Sequence, residues 1–227
     1  MMVGDFGTSY AKIWDLAVPG REPTVLPNRE LAADLTVEVA TGHSARRYGR
    51  RVVNELVALA RGGEALIGRP SFLLVDCGSR DIKYVRFQDG QVQDMGWNAE
   101  CGASLGFSIE LLASYYHVDF RRLAAPREHF PVTCGVLGMS QIFDAIINGL
   151  PEEQAVARYV RGIALNAYRF AGSPEEIFLS GGLCDNPVFV ASLPCRVVPL
   201  GRFVLLTGLA RLATPEASTA GKAGAAG

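Results

Sequence analysis

The chain has 227 residues, of which 49% are hydrophobic and 20% charged, and a formal net charge of −1; it can build a core in one domain or in two small lobes, and it lacks the basic excess that a nucleic acid or an anionic membrane surface demands of a partner. No apolar run nears the roughly 20 residues of a membrane span and no basic-then-apolar leader opens the chain, so the expected compartment is the cytoplasm. Five cysteines (Cys77, Cys101, Cys134, Cys184 and Cys195) are an odd number, which in a reducing compartment argues against a disulfide framework and leaves buried packing or ligation as their roles.

In chain order, β-rich runs predict strands at 2–6, 11–17 and 36–40, and helical periodicity predicts a helix at 48–62. Three further strands follow at 72–77, 82–88 and 91–97, then helices at 105–116, 140–148 and 151–171. Strands at 177–180 and 196–199 and a helix at 203–213 complete the pattern. Strands alternate with helices, so the class is α/β. The tail from 214 to 227 offers too little apolar surface to offset its ordering entropy and is expected to be disordered.

Two segments repeat one pattern. "VGDFGTSYAKIWDL" from Val3 and "LVDCGSRDIKYVRFQDG" from Leu74 each run from an apolar strand through Asp, one residue and Gly to a Lys on the next strand; Lys12 follows Asp5 by seven residues and Lys83 follows Asp76 by seven. An internal duplication of this kind predicts two related lobes facing one cleft: a first lobe over 1–68, a second over 69–202, a hinge near 67–70, and the helix at 203–213 packing back on the first lobe.

A strand that ends in Asp and a Gly turn directs a carboxylate and successive backbone amides beyond the sheet, which makes a nest for anions. Asp, Gly and Ser are also ordinary turn residues, so a single copy reads first as a plain hairpin. Two copies facing each other suit a polyphosphate, with the acids positioning hydrated Mg²⁺. A third Gly-rich turn, "LSGGLCDN", follows the strand at 177–180.

Cys101 in "GWNAECGASLGF" and Cys134 in "PVTCGVLGMSQIF" each precede a predicted helix, where free amides and the helix dipole favour a thiolate. On position alone, packing as a small hydrophobe is the first reading of either. An iron–sulfur cluster normally takes four Cys ligands, so two per chain would require a two-fold axis. No Cys-x-x-Cys pair exists and the three His (His43, His117, His129) show no ligand spacing, which sets zinc aside.

In their order along the chain, "GDFGTSYAK", "VATGHSARR", "NELVALARGGEAL", "VDCGSRDIK", "NAECGASLG", "CGVLGMSQI" and "LSGGLCDN" resemble the motifs of the BadF/BadG/BcrA/BcrD-type ATPases, the activator components of 2-hydroxyacyl-CoA dehydratases and ATPase subunits of benzoyl-CoA reductase. The resemblance implies an actin-like/Hsp70/sugar-kinase fold of duplicated ribonuclease H-like lobes, the first shortened around 27–34. It also implies ATP and Mg²⁺ between the lobes and a homodimer in which Cys101 and Cys134 of each protomer hold one [4Fe–4S] cluster. ATP-driven rearrangement would then deliver a low-potential electron to a partner dehydratase or reductase. By position, Asp5, Gly7, Thr8, Ser9 and Lys12 meet the phosphates with Asp76 and Gly78 opposite, Gly181, Gly182 and Asn186 flank adenosine, and Glu55 orients the attacking water or Mg²⁺. The sequence departs from the family at Ser104-Leu105-Gly106, where Leu105 stands in place of a hydrogen-bonding Thr. That departure favours one alternative, a subunit of the same fold with weak or no ATP hydrolysis serving as scaffold or cluster carrier; the other alternative is a small-molecule kinase on the same fold, for whose catalytic acid and acceptor pocket no segment is found.

Overall fold

The computed structural model describes residues 1–98, 105–133 and 135–214. Cys101 and Cys134, with Ser104 and the tail beyond Thr214 that the sequence marks as disordered, lie outside the described residues.

Strand β1 (Met2–Phe6) turns back into β2 (Tyr10–Asp15), and β3 (Thr24–Pro27) pairs antiparallel with β2. On the other edge of β1, β4 (Val37–Thr41) runs parallel to it, and β5 (Gly49–Val52) runs parallel to β4 after a single helical turn, α1 (Ala45–Tyr48). The sheet order is β3-β2-β1-β4-β5. Helix α2 (Glu55–Ile67) then leads to a second sheet. Its strands are β6 (Phe72–Cys77), β7 (Ile82–Gln88) and β8 (Gln91–Asn98), followed by helices α3 (Gly106–Tyr115), α4 (Gly135–Ile147) and α5 (Glu152–Phe170). Strand β9 (Glu176–Ser180), helix α6 (Pro187–Ser192), strand β10 (Arg196–Gly201) and helix α7 (Val204–Ala213) end the described chain.

The second sheet has the order β10-β9-β6-β7-β8, the same connectivity as the first with the same parallel and antiparallel senses. The duplication extends to register, because Asp5 faces Lys12 across the first hairpin and Asp76 faces Lys83 across the second. The lobes differ in what connects the third strand to the fourth. Between β3 and β4 lies one 3₁₀ turn, Asn28–Glu30, whereas between β8 and β9 lie α3, α4 and α5. Those helices supply the larger core, in which Tyr159, Val160 and Ile163 of α5 are fully buried. The Tyr159 hydroxyl donates to the Gly135 carbonyl at 2.9 Å and lies 3.1 Å from Ser108 Oγ, which ties α5 to α4 and α3.

The helix expected at 48–62 is replaced by α1, β5 and α2. Arg50 and Arg51 lie in an exposed edge strand, where Arg50 pairs with Glu38 of β4 at 3.1 Å, and charge on an edge is compatible with strand pairing. Asn54 then starts α2 by accepting from the Leu56 amide at 2.8 Å. Helix α4 begins five residues before the expected 140, at Gly135.

Helices α2 and α7 pack on each other between the sheets, α2 also meeting β7 and β8 while α7 meets β1 and β4. Their approach is close enough that a Cβ on Gly208 would stand 1.9 Å from the Ala58 carbonyl oxygen, and one on Gly62 would stand 2.0 Å from that of Val204. Among the described residues no helix is long and apolar enough to cross a membrane. The Gly208→Ala substitution is expected to destabilise the fold by about 1–3 kcal/mol through overpacking of this contact. Thermal unfolding checks it: a lowered Tm is expected, and an unchanged one contradicts the helix approach.

Candidate functional site: a cleft between the two sheets

The β1–β2 and β6–β7 turns face each other across a polar cavity of about 240 Å³, walled by Gly7, Thr8, Ser9, Gly78 and Ser79 and floored by Asp5, Lys12, Asp76 and Lys83. Strand pairing puts each Lys beside its Asp, but the two copies use the pair differently. In the first, Lys12 Nζ donates to Asp5 Oδ2 at 2.7 Å. In the second, Lys83 Nζ lies 2.7 Å from Glu55 Oε2 and 2.6 Å from Asp81 Oδ1, with the charge of Asp76 also acting on it. Asp76 accepts instead from the Ser180 hydroxyl at 2.7 Å.

Glu55 belongs to the first turn of α2 and Asp81 to the β6–β7 turn, so Lys83 joins residues on both sides of the cleft. The Lys83 side chain is only 2% exposed, and its Nζ also lies 5.1 Å from the centre of the Trp97 ring, a cation–π arrangement. Trp97 in turn donates its indole N–H to Asp81 at 2.8 Å. Burial pulls the Lys83 pKa down, but Asp76, Glu55 and Asp81 outweigh it and hold the ammonium charged well above the ordinary lysine value. Lys12 behaves likewise, burial being outweighed by Asp5. Burial pushes Asp76 up. Burial also pushes Glu55 up to about 7 against the opposing pull of Lys83.

His43, from the turn after β4, lies 3.4 Å from Asp81 and 3.9 Å from Glu55. Burial lowers its pKa, with Asp81 opposing. Spacing along the chain gave no sign of this placement, because the three groups meet only when the two sheets face each other.

A second cavity, about 310 Å³, opens beside the first and has apolar walls from Ile109, Ala113, Val118, Phe120, Leu183 and Pro187. Gly182 lines both cavities and Asn186 the second one. Asn186 also caps α6, accepting from the Phe189 amide at 3.0 Å. Gly181 lines neither cavity. It adopts φ +91°, and a Cβ there would stand 2.3 Å from the Cys77 carbonyl oxygen, so its contribution is to let the third Gly-rich turn lie against β6.

The structure therefore gathers Asp5, Gly7, Thr8, Ser9, Lys12, Glu55, Asp76, Gly78 and Gly182 around one cavity. It adds residues that the sequence reading left out of the site: Glu110 on α3, which borders both cavities, and Arg202 after β10, which pairs with Asp185. Their signal in the sequence was positional only, each falling just beyond a glycine-marked boundary. Burial raises the Glu110 carboxyl, opposed by the nearby Ser9 and Ser79 hydroxyls. Ser9 Oγ is itself buried and makes no hydrogen bond of ordinary length among the described residues. Leu105, the departure from the family pattern, is 5% exposed and belongs to the second-lobe core rather than to either cleft cavity. The three described cysteines have thiols kept protonated by burial, and Cys184, raised to about 12, donates to the Leu179 carbonyl at 2.9 Å.

Two duplicated sheets closing on a polar cleft, with facing Asp-bearing turns and a third Gly-rich turn, define the actin-like ATPase and sugar-kinase fold. No family model matches the sequence. The (R)-2-hydroxyglutaryl-CoA dehydratase activating ATPase of Acidaminococcus fermentans is 22% identical over 165 residues, a match spanning 67% of this chain and 63% of that protein. Among solved structures, the activator of the 2-hydroxyisocaproyl-CoA dehydratase from Clostridium difficile with bound ADPNP superposes with a TM-score of 0.76 at 17% identity, over 92% of this chain and 91% of that one. The A. fermentans (R)-2-hydroxyglutaryl-CoA dehydratase component A gives 0.72 at 18% identity, over 92% and 95%. The likeness to activators of 2-hydroxyacyl-CoA dehydratases read from the motifs is thus found again in both sequence and fold.

Replacing Lys83 by Met leaves Glu55, Asp76 and Asp81 buried without their shared cation, and a loss of about 3–5 kcal/mol is expected. Glu55 and Asp76, which burial already raises, lose the opposing pull of Lys83 and lie still further above their unfolded values, so the loss grows as pH rises and shrinks as they protonate. Denaturant titrations at pH 5.5 and 8 check this; a pH-independent loss contradicts it.

Proposed function

We propose that this chain is an ATP-driven activator that delivers a low-potential electron to a partner acyl-CoA dehydratase or reductase. The observation that carries the reading is the pair of matched hairpins whose Asp-Gly turns meet over one cavity with Lys12 and Lys83 beneath them. Glycine-lined turns, two ammonium groups and the Ser9 hydroxyl at the cavity wall suit the β- and γ-phosphates of ATP. Asp5 and Asp76 are placed to hold a hydrated Mg²⁺ on the phosphates, and the apolar cavity beside Gly182 and Asn186 suits the adenosine. Hydrolysis consumes one water and gives ADP and phosphate. Glu55, with a carboxyl pushed up to about 7, is suited to accept the proton of that water near neutral pH once Lys83 shifts from it.

Cys101 and Cys134 of two protomers supply the four thiolates that a shared [4Fe–4S] cluster needs, and such a cluster holds and passes one electron at low potential. The helices that follow these cysteines support a two-fold partner. Along α3, Phe107, Leu111 and Tyr115 recur at a spacing of four residues, and Tyr115 is 74% exposed. On α4, Leu137 is 72% and Ile147 81% exposed. Apolar surface of this kind fits an interface. A second reading, a subunit that keeps the fold and the cluster with little hydrolysis, is favoured by the Lys83–Glu55 pairing, which holds the candidate base away from a water.

Under anaerobic conditions the protein is expected to purify brown, with about four Fe per dimer, and Cys101→Ser or Cys134→Ser should abolish both colour and iron. Full iron in either variant refutes the cluster. The paired substitution Leu137→Glu with Ile147→Glu should give a monomer in sedimentation, and an intact dimer would place the interface elsewhere. ATP turnover should fall by about a hundredfold or more in Asp5→Ala and in the wild type should rise with pH through about 7, since ionised Glu55 is the active form. Unchanged turnover in Asp5→Ala refutes the phosphate site, and a wild type that binds ATP with negligible turnover selects the second reading.

A further inference from the structure

We infer that Glu110 makes the cleft selective for ribonucleotides, its carboxylate accepting hydrogen bonds from the vicinal 2′- and 3′-hydroxyls of the bound sugar; the inference rests on the nucleotide reading above. The polar and apolar cavities meet along a wall formed by Gly78, Ser79, Glu110 and Gly182, the residues that border both. A nucleotide with its phosphates over Lys12 and Lys83 and its base against Ile109, Phe120 and Leu183 places its sugar at that wall. Two of the four wall residues are glycines, and the Ser79 hydroxyl donates to Glu110 at 3.4 Å. Glu110 is therefore the wall residue with acceptor capacity for two further donors. A carboxylate repels phosphate oxygens, whereas a vicinal diol is a neutral double donor, so the sugar rather than the phosphate chain is its complement.

The carboxylate is held in place from the backbone outward. The first residues of α3 are bonded to the second phosphate turn, Gly106 N–H donating to the Gly78 carbonyl at 3.3 Å and Phe107 N–H to that of Ser79 at 2.9 Å. A Cβ on Gly106 would stand 2.9 Å from the Gly78 carbonyl oxygen, so this approach requires the glycine. Glu110 lies four residues further on, on the same face of the helix, and Ser108 beside it is fixed by its own hydroxyl donating to Leu105 at 2.9 Å.

Calorimetric titration of the full chain with ATP, 2′-deoxyATP and 3′-deoxyATP tests the inference. Each deoxy analogue is expected to bind the wild type roughly tenfold or more weakly than ATP, as loss of a hydrogen bond to a charged group implies. Glu110→Ala should bind all three alike and at the weakened level. Equal affinity of the wild type for the three nucleotides overturns the role of Glu110 and leaves the nucleotide reading intact, and so does discrimination retained in Glu110→Ala. Absence of ATP binding to the wild type overturns both. The wild-type comparison decides the matter should the variant not fold.

Discussion

One ammonium group, Lys83 Nζ, lies out of water among Glu55, Asp76 and Asp81. Each of these charges would be strongly disfavoured alone in the interior, and each is tolerable because the others are present. Glu55 enters from the helix that leaves the first sheet and Asp81 from the turn of the second, so the cluster exists only while the sheets face each other. A bound polyphosphate would bring negative charge to the same place. On the proposed reading, a bound nucleotide would redistribute the partners around Lys83, and Glu55 is the acid whose release would matter for chemistry.

The duplication was legible because it rests on short, chemically specific spacing, Asp and Lys seven residues apart on paired strands of a tight antiparallel hairpin, and β1, β6 and β7 were bounded correctly from their short β-rich runs. Strands β3 and β5 were not foreseen. Both are four-residue sheet edges, TVLP ending in a Pro and GRRV carrying two Arg, too short for a strand pattern to register, and their pairing depends on a neighbouring strand. Helix α6 is only six residues long and starts at a Pro, too short for periodicity to register.

The site shows the same division. Residues carried by the turns themselves, from Asp5 to Lys12 and Asp76 to Gly78, were readable because the turn motif sets their positions locally. Glu110 and His43 were not, since each is brought to the cleft by packing: the first by the bonding of α3 to residues 78 and 79, the second by the facing of the sheets. Gly181 was read as flanking adenosine, yet its conformation shows a backbone role against β6. Leu105, read as a loss of nucleotide contact, is buried in the core just before α3 and lines neither cleft cavity.

In the proposed function, two copies of one hairpin share one anion. Hydrogen–deuterium exchange with and without Mg²⁺ and ATP tests that claim most directly. Protection is expected to rise together at residues 7–9 and 78–80; protection confined to one turn, or absent from both, contradicts a phosphate site built from the two.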